Sequence, residues 1–322
     1  VDDQIITPHR PDFQRGTLIK GDGTEAFIPR AAVASSLRLF LILCHGVPFI
    51  GGLIAVAIIP IWPPSVLVLV SMAVMWSLSL GFGITIGYHR LFSHRAFQTS
   101  TPMRVFLAIC GSMAGQGPLI AWVALHRCHH QHTDTDGDPH SPWPNGSKWF
   151  QKLVGLWHAH YGWLFSSGFP NSLQYCPDLI RDRAIARTSR MFLVWYIMGL
   201  CLPSIVIWMV TGSTKEMILT FLWAGCLRVA AASQVTWSIN SLCHFLGAVP
   251  HATGDHSTNL SWLAVPSFGE SWHNNHHAYP QSAKFSCRSW QLDLGYALIC
   301  VMRYCGMVWD VQTPKTQKGE NR

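Results

Sequence analysis

A chain of 322 residues would ordinarily divide into roughly one to three soluble domains, but this one is 49% hydrophobic and only 12% charged. That is the composition of a membrane protein. Its 23 Lys and Arg against 16 Asp and Glu make the distribution of positive charge the natural guide to topology.

Residues 1–35 are polar, contain Pro8, Pro11 and Pro29, and lack the positive-then-apolar-then-cleavage order of a secretory leader. They are expected to form a mostly irregular arm. Apolar runs near 39–61, 65–87, 191–210 and 217–239 approach or reach the about 20 residues that cross a hydrocarbon core of about 30 Å. Ile61-Trp62-Pro63-Pro64 joins the first pair and residues 211–216 the second, so both pairs read as tight hairpins. The expected fold is an all-α integral membrane protein with four transmembrane helices in two hairpins. Its membrane domain spans 36–310, with a helical cap at 89–190 and 240–310 and a polar tail at 311–322. Residues 89–190 hold ten Lys or Arg against five Asp, whereas the hairpin loops hold only Lys215. The positive-inside rule then puts both termini and the cap in the cytoplasm. Ten cysteines without a CxxC pair are expected to remain free there.

The segment 102–125 is apolar enough to be taken for a fifth span, but Gly111, Gly115, Gln116, Gly117 and Pro118 make it a poor lipid-facing helix. A fifth crossing would also place His94 and His126 on opposite sides of the bilayer. Arg228, inside the fourth run, is expected to face the bundle interior or to snorkel toward a partner, backbone carbonyls included.

His126, His129 and His130 recur in spacing as His273, His276 and His277. On a helix these positions share a face, so each stretch is expected to point three imidazoles one way. His89 and His94 add two more just after the second apolar run. Eight histidines exceed what one ion can use and fit two metal ions with positions left open, an arrangement suited to activating oxygen. Imidazole suits zinc, copper, iron and nickel alike. A zinc site uses three or four protein ligands, and the His-Glu-x-x-His of a hydrolytic zinc helix is absent. A carboxylate-bridged di-iron bundle needs about four Glu and two Glu-x-x-His motifs. Only Glu25, Glu216, Glu270 and Glu320 exist, and only Glu270 with His273 has that spacing. Glu270 is therefore read as an acceptor holding a ligand imidazole by its second nitrogen. Asp134-Thr135-Asp136-Gly137-Asp138 superficially resembles a calcium loop, but position 12 is Asn145 and Pro139 breaks the spacing. Asp138 reads either as a carboxylate behind a metal ligand or as a helix terminator. Cys128, between ligands, is an alternative donor.

The His-x4-His, His-x2-His-His and His-x2-His-His series resembles the integral-membrane fatty acyl desaturases of the stearoyl-CoA type. The likeness extends to Gly87-Tyr88-His89-Arg90-Leu91, Asp138-Pro139-His140, His160-Tyr161-Gly162-Trp163, Asn240-Ser241-Leu242-Cys243-His244 and Gly269-Glu270-Ser271-Trp272-His273, and covers roughly residues 65–310. It implies a centre of two iron ions held by His89, His94, His126, His129, His130, His273, His276 and His277. His244 would be a ninth ligand, and Asn240, one turn away, would reach one iron through water. His132, His140, His158 and His160 are read as surface residues or as support behind the ligands.

The implied reaction places a cis double bond, at the ninth carbon by analogy, in the acyl chain of an acyl-CoA or acyl-carrier-protein thioester. It consumes O2 and two external electrons and releases water. Arg90, Arg127, Arg181 and Arg183 are candidates for meeting carrier phosphates, with a solvated or headgroup-facing role as the alternative. The His-Pro-Gly-Gly of a fused cytochrome b5 is absent, so a separate donor such as cytochrome b5 or ferredoxin, with its reductase, is expected. Ser271 replaces the glycine common after Glu270 in the family. Membrane lipid is an expected partner and nucleic acid is not. Rival readings are a di-iron hydroxylase or acetylenase using the same boxes, and a non-catalytic metal-binding or transport protein, which would want polar ligands at mid-membrane. Ser77 and Gly81 lie four residues apart on the second span, which leads into His89. In the resembling family the corresponding face closes the far end of the acyl tunnel; close packing of two spans is the alternative.

Overall fold

In lipid a backbone must satisfy its own hydrogen bonds, and the apolar runs do so as helices. The computed structural model describes residues 27–143, 149–166 and 168–314; most of the N-terminal arm and most of the tail lie outside the described residues. A short strand β1 (Phe27–Ile28) precedes two membrane-length helices, α1 (Arg30–Ala57) and α2 (Val66–Ser93). Pro63 and Pro64 fall in the turn between them, and Ser65 caps α2 by accepting from the Val68 N–H. After β2 (Gln98–Thr99) come α3 (Thr101–Ser112) and α4 (Leu119–His132). Helix α5 (Trp149–Trp157) runs on through the wider turns of His158–Gly162 into Trp163–Ser166.

Strand β3 (Phe169–Pro170) pairs antiparallel with β1. Three short helices, α6 (Ser172–Tyr175), α7 (Pro177–Arg181) and α8 (Arg183–Arg190), lead into the second membrane pair, α9 (Phe192–Thr211) and α10 (Thr214–His244). The chain then forms α11 (His273–Ala278), α12 (Leu294–Tyr304) and β4 (Val308–Trp309), which pairs antiparallel with β2. Ser65 Oγ donates to Glu216 and so ties the two hairpin turns together.

The four spans are present, with three shifts. Helix α1 starts at Arg30 and β1 is paired, so residues 27–35 of the arm are ordered, and the rest of that expectation falls outside the described residues. Helices α2 and α10 continue to Ser93 and His244, which places His89, Asn240 and His244 on the membrane helices themselves. Apolar runs mark the thickness of hydrocarbon, whereas these last polar turns are stabilised by the cap packed around them. The ambiguous segment 102–125 is broken between α3 and α4, where Gly115 and Gly117 take φ of +74° and +105°. Its two pieces of 12 and 14 residues are too short to cross.

Helix α3 lies backbone to backbone against α2. A Cβ on Gly83 would stand 2.4 Å from the Cys110 carbonyl carbon, and one on Gly111 would meet the Tyr88 ring at 2.2 Å. Residues 77–93 of α2 are wound with the wider π spacing, a winding that recurs at functional sites. Arg228 is fully buried and donates to the carbonyls of Ala224, Met113 and Gly199 and to Ser79 Oγ. One guanidinium thus ties α10 to α2, α9 and the α3–α4 link, satisfied as a charge inside a bundle must be.

Candidate metal centre

All nine sequence-predicted histidines converge in two groups. One holds His89, His94, His126, His130 and His276; the other holds His129, His244, His273 and His277. Helix α4 therefore does not present its three imidazoles to one point. At about 100° per residue, i and i+4 diverge by about 40° while i+3 and i+4 diverge by about 100°. His126 and His130 accordingly serve the first group and His129 the second, and α11 divides the opposite way, with His273 and His277 in the second group and His276 in the first.

In the first group the Nε2 atoms of His89 and His276 are 3.1 Å apart, those of His276 and His130 2.9 Å, and those of His94 and His126 2.7 Å. In the second, His273 Nε2 lies 3.0 Å from both His244 Nε2 and His277 Nε2. Two imidazoles bound at about 2.0–2.1 Å and at right angles have nitrogens about 2.9 Å apart, so the spacing suits metal ligation.

The opposite ring nitrogens are held by carboxylates, which can only accept and so fix the proton on Nδ1. His129 Nδ1 donates to Asp138 at 3.1 and 3.0 Å, His244 Nδ1 to Asp134 at 2.9 Å, and His277 Nδ1 to Asp255 at 2.8 Å. His89 Nδ1 is likewise paired with the Glu270 carboxyl. The lone pairs of Nε2 are left facing inward, and buried His129 Nε2 has no hydrogen-bond partner among the described residues. These observations fit a pair of metal ions.

Burial, reinforced by neighbouring imidazoles, pushes His94, His126, His130, His273 and His276 well below the ordinary histidine value. Burial also brings His277 down to about 4. Neutral imidazole is the metal-binding form. Burial alone would lower His129 too, but Asp138 beside it, together with Asp134 and Asp255, outweighs burial and raises it. Asp138 and Asp255 resist the upward push of burial because His129 and His277 hold them well below the carboxylate range. Burial pushes Glu270 up to about 8, against the pull of Arg90.

Glu270 contacts His89 Nδ1, and Asp138 accepts from His129 Nδ1, the contacts that the reading of each as a carboxylate behind a ligand would require. Asp134 and Asp255 do the same work and went unrecognised. Asp134 stood inside the rejected calcium pattern, while Asp255 has no local signal because only tertiary folding brings it to His277. Cys128 is buried with its Sγ 3.6 Å from the Gly137 carbonyl, outside both groups. His140 is buried beside His129 and Asp138, and His160 bonds Ser241 and Gln234. Asn240 is half-buried one turn before His244.

Two openings reach the histidines. A narrow cavity of about 40 Å³ passes Leu80, Ile84, Val235 and Ile239 and meets His89, His126, His129 and His273, with Asn240 on its wall. A polar groove of about 690 Å³ meets His94, His130 and His277. Neither Ser77 nor Gly81 lines the cavity. The wide winding of α2 turns Leu80 and Ile84 toward it instead, and Gly81 lies under Phe268, whose ring a Cβ would meet at 2.9 Å.

Two arginines read as carrier contacts are also spent inside the fold. Arg90 is fully buried, donating to Asp293 and the Ala283 carbonyl with its guanidinium 4.0 Å from the Phe285 ring centre. Arg127 is clamped by Asp178 and by the carbonyls of Phe92, Ser93 and Tyr175. Arg181 and Arg183 remain exposed.

The family model for fatty acid desaturases matches residues 60–299. The chain is 43% identical over 275 residues, 85% of each chain, to a hex-5-enoyl-[acyl-carrier protein] acetylenase of Moorena producens. It is 35% identical over 235 residues to an sn-1 stearoyl-lipid 9-desaturase of Anabaena variabilis, covering 72% of this chain and 79% of that one. It is also 36% identical over 249 residues to Delta-9 acyl-lipid desaturase 1 of Arabidopsis thaliana, covering 73% and 72%. With four membrane-length helices and two clusters of imidazoles at one end of the bundle, the chain belongs to the fatty acid desaturase family and is a membrane oxidoreductase of acyl lipids.

Proposed function

We propose that this protein dehydrogenates a fatty acyl chain at two iron ions held by the nine histidines, turning a CH2–CH2 unit into a cis double bond at the ninth carbon of an acyl-CoA or acyl-carrier-protein thioester. The oxidant is O2, and a separate carrier such as cytochrome b5 or ferredoxin supplies two electrons. One observation carries the reading: the narrow, largely apolar cavity meets His89 and His126 of one group and His129 and His273 of the other. An acyl segment inside it lies against both ions.

Iron bound there would supply O2 activation and the oxidising power needed for unactivated C–H bonds. The chain's own part is position and dryness. Leu80, Ile84, Val235 and Ile239 hold the acyl segment and exclude water. Asp134, Asp138, Asp255 and Glu270 aim the ligating nitrogens. Asn240, on the cavity wall, would hold a water at the ion of the four-histidine group. The excess of Lys and Arg in 89–190 supports a cytoplasmic position for the cap, the site and both termini.

A second reading is favoured by the acetylenase among the relatives: the same geometry would dehydrogenate an alkene to an alkyne. The deciding experiment supplies the purified, iron-loaded protein with reduced donor, O2, and saturated or mono-unsaturated acyl-CoA and acyl-carrier-protein thioesters of graded length. Mass spectrometry of a cis-alkene product from a saturated chain supports desaturation, and an alkyne formed only from alkenes selects the second reading. Zinc in place of iron with no oxidised acyl product would overturn both.

A further inference from the structure

Helix α5 carries Trp149, Phe150, Leu153, Val154 and Trp157 at exposures of 74%, 48%, 55%, 53% and 62%. At about 100° per residue these five fill one continuous arc of the helix, with no polar side chain among them. The other side is docked on the protein. Gly155 lies so close to Pro142 that a Cβ would meet its carbonyl oxygen at 1.8 Å, and Lys152 Nζ stands 5.8 Å from the centre of the Trp143 ring. The apolar arc therefore faces outward.

We infer that α5 is a membrane-surface helix seated at the boundary between headgroups and acyl chains, and that it braces the turn of α10 that carries His244. The continuation of α5 identifies what covers the arc. Trp163 and Leu164 cluster with Leu41 of α1 and Trp237 of α10, and Phe165 lies near the Arg30 guanidinium at the foot of α1. Leu39 and Ile42, on the same stretch of α1, face outward at 52% and 60% exposure. The arc is thus continuous with the lipid-facing side of the bundle, at the end where the histidines gather. Tryptophan at both ends of the helix, within the arc, suits the headgroup boundary. Nine residues rising about 1.5 Å each make a face about 13 Å long, too small alone for a stable dimer, which buries about 800 Å² per partner.

The brace runs through two contacts. Trp143, under α5, donates from Nε1 to the His244 carbonyl at 2.7 Å, and His160, on the continuation of α5, bonds Ser241 Oγ at 2.9 Å. Both hold the α10 turn that contains Asn240 and His244. The lipid seat stands on the membrane fold alone, whereas the brace rests on the proposed metal role of His244.

The full chain in vesicles of phosphatidylcholine and phosphatidylglycerol, with exposed Cys287, Cys300 and Cys305 changed to serine, would be spin-labelled at Leu153→Cys or, for comparison, at Arg187→Cys on the exposed face of α8. Label at 153 should be several-fold more accessible to O2, which partitions into lipid, than to a water-soluble nickel chelate, with the order reversed at 187. Nickel-dominated access at 153 overturns the seat. Protection from both agents that is relieved on dilution into more lipid would place a second copy there and also overturns it. Leu153→Asp should release iron to a chelator several-fold faster than the parent from the same vesicles, and an unchanged release rate overturns the brace. A parent protein that binds no iron would instead fail the metal assignment and leave the label result standing.

Discussion

Asp138→Asn changes one atom behind the metal centre, and its effect can be worked from the geometry. The carboxylate accepts three N–H groups through four contacts: His129 Nδ1 at 3.1 and 3.0 Å, the Asp134 backbone at 2.9 Å and the His140 backbone at 3.1 Å. Asn offers one oxygen and an NH2, so whichever way the amide is turned its nitrogen confronts a backbone donor that loses its acceptor. A hydrogen bond to a charged group is worth about 1.5–3 kcal/mol. Losing the outer partner of a ligating histidine lowers metal affinity by about 10–100-fold, which is about 1.4–2.7 kcal/mol. The two scales agree, so weakening the single His129 contact is enough to produce the effect. Iron affinity of the detergent-solubilised full chain, measured by competition with a chelator, should fall by that factor for one of two ions. The ion of the five-histidine group should stay tight, because Asp138 touches none of its ligands. Two ions retained with parental affinity in a folded Asp138→Asn protein would refute the claim that this carboxylate aims His129.

His276→Ala and His129→Ala should each abolish turnover while leaving a folded membrane protein, with metal analysis showing loss of iron from the affected group; near-parental product from either would end the assignment. Arg228→Leu leaves the carbonyls of Met113, Gly199 and Ala224 without their donor and should lower unfolding stability in detergent by about 3 kcal/mol or more, a result contradicted by an unchanged midpoint. Gly81→Phe should displace Phe268 and lower stability by overpacking without shifting chain length, whereas Leu80→Phe, on the cavity wall, should shift products toward shorter chains; the opposite pattern in product analysis would restore the Ser77–Gly81 face to the tunnel. The guanidinium groups of Arg127 and Arg95 hold Asp178 well below its ordinary value of 3.8, against burial that pushes it up. Its stabilising contribution is therefore complete above that value and is lost as pH falls below it, and Asp178→Asn should flatten the acid limb of the stability profile.

The spans and the eight histidines of the three boxes were legible because hydropathy and ligand spacing are local properties, whereas His244 entered only through the family resemblance. What the sequence hid was non-local. Asp255 reaches His277 across 22 residues and Asp134 reaches His244 across 110, and neither distance leaves a periodic trace. Arg90 and Arg127 read as available charges because their partners, Asp293 and Asp178, lie 203 and 51 residues away. The Ser77–Gly81 face does not line the cavity beside the histidines for a different reason: residues 77–93 are wound more widely than an α-helix, so the side chains toward the cavity are Leu80 and Ile84.

The spacing of the boxes carries a further consequence. A helix bearing histidines at i, i+3 and i+4 cannot aim all three at one ion, because the last two diverge by about 100°. Two such helices placed face to face resolve the conflict by sharing two groups of imidazoles, each helix giving a pair to one and a single imidazole to the other, as α4 and α11 do. The paired boxes therefore encode two groups of imidazoles, as the proposed two-ion centre requires, and they also encode its two sides. The apolar cavity meets His89, His126, His129 and His273, whereas the polar groove meets His94, His130 and His277. No ligand is shared between the two openings. His130 and His277, one from each group, stack at 4.6 Å between ring centres on the groove side. On the proposed function, an acyl chain in the cavity would leave the opposite side of both histidine groups open to the groove, and electrons would enter there without displacing the substrate.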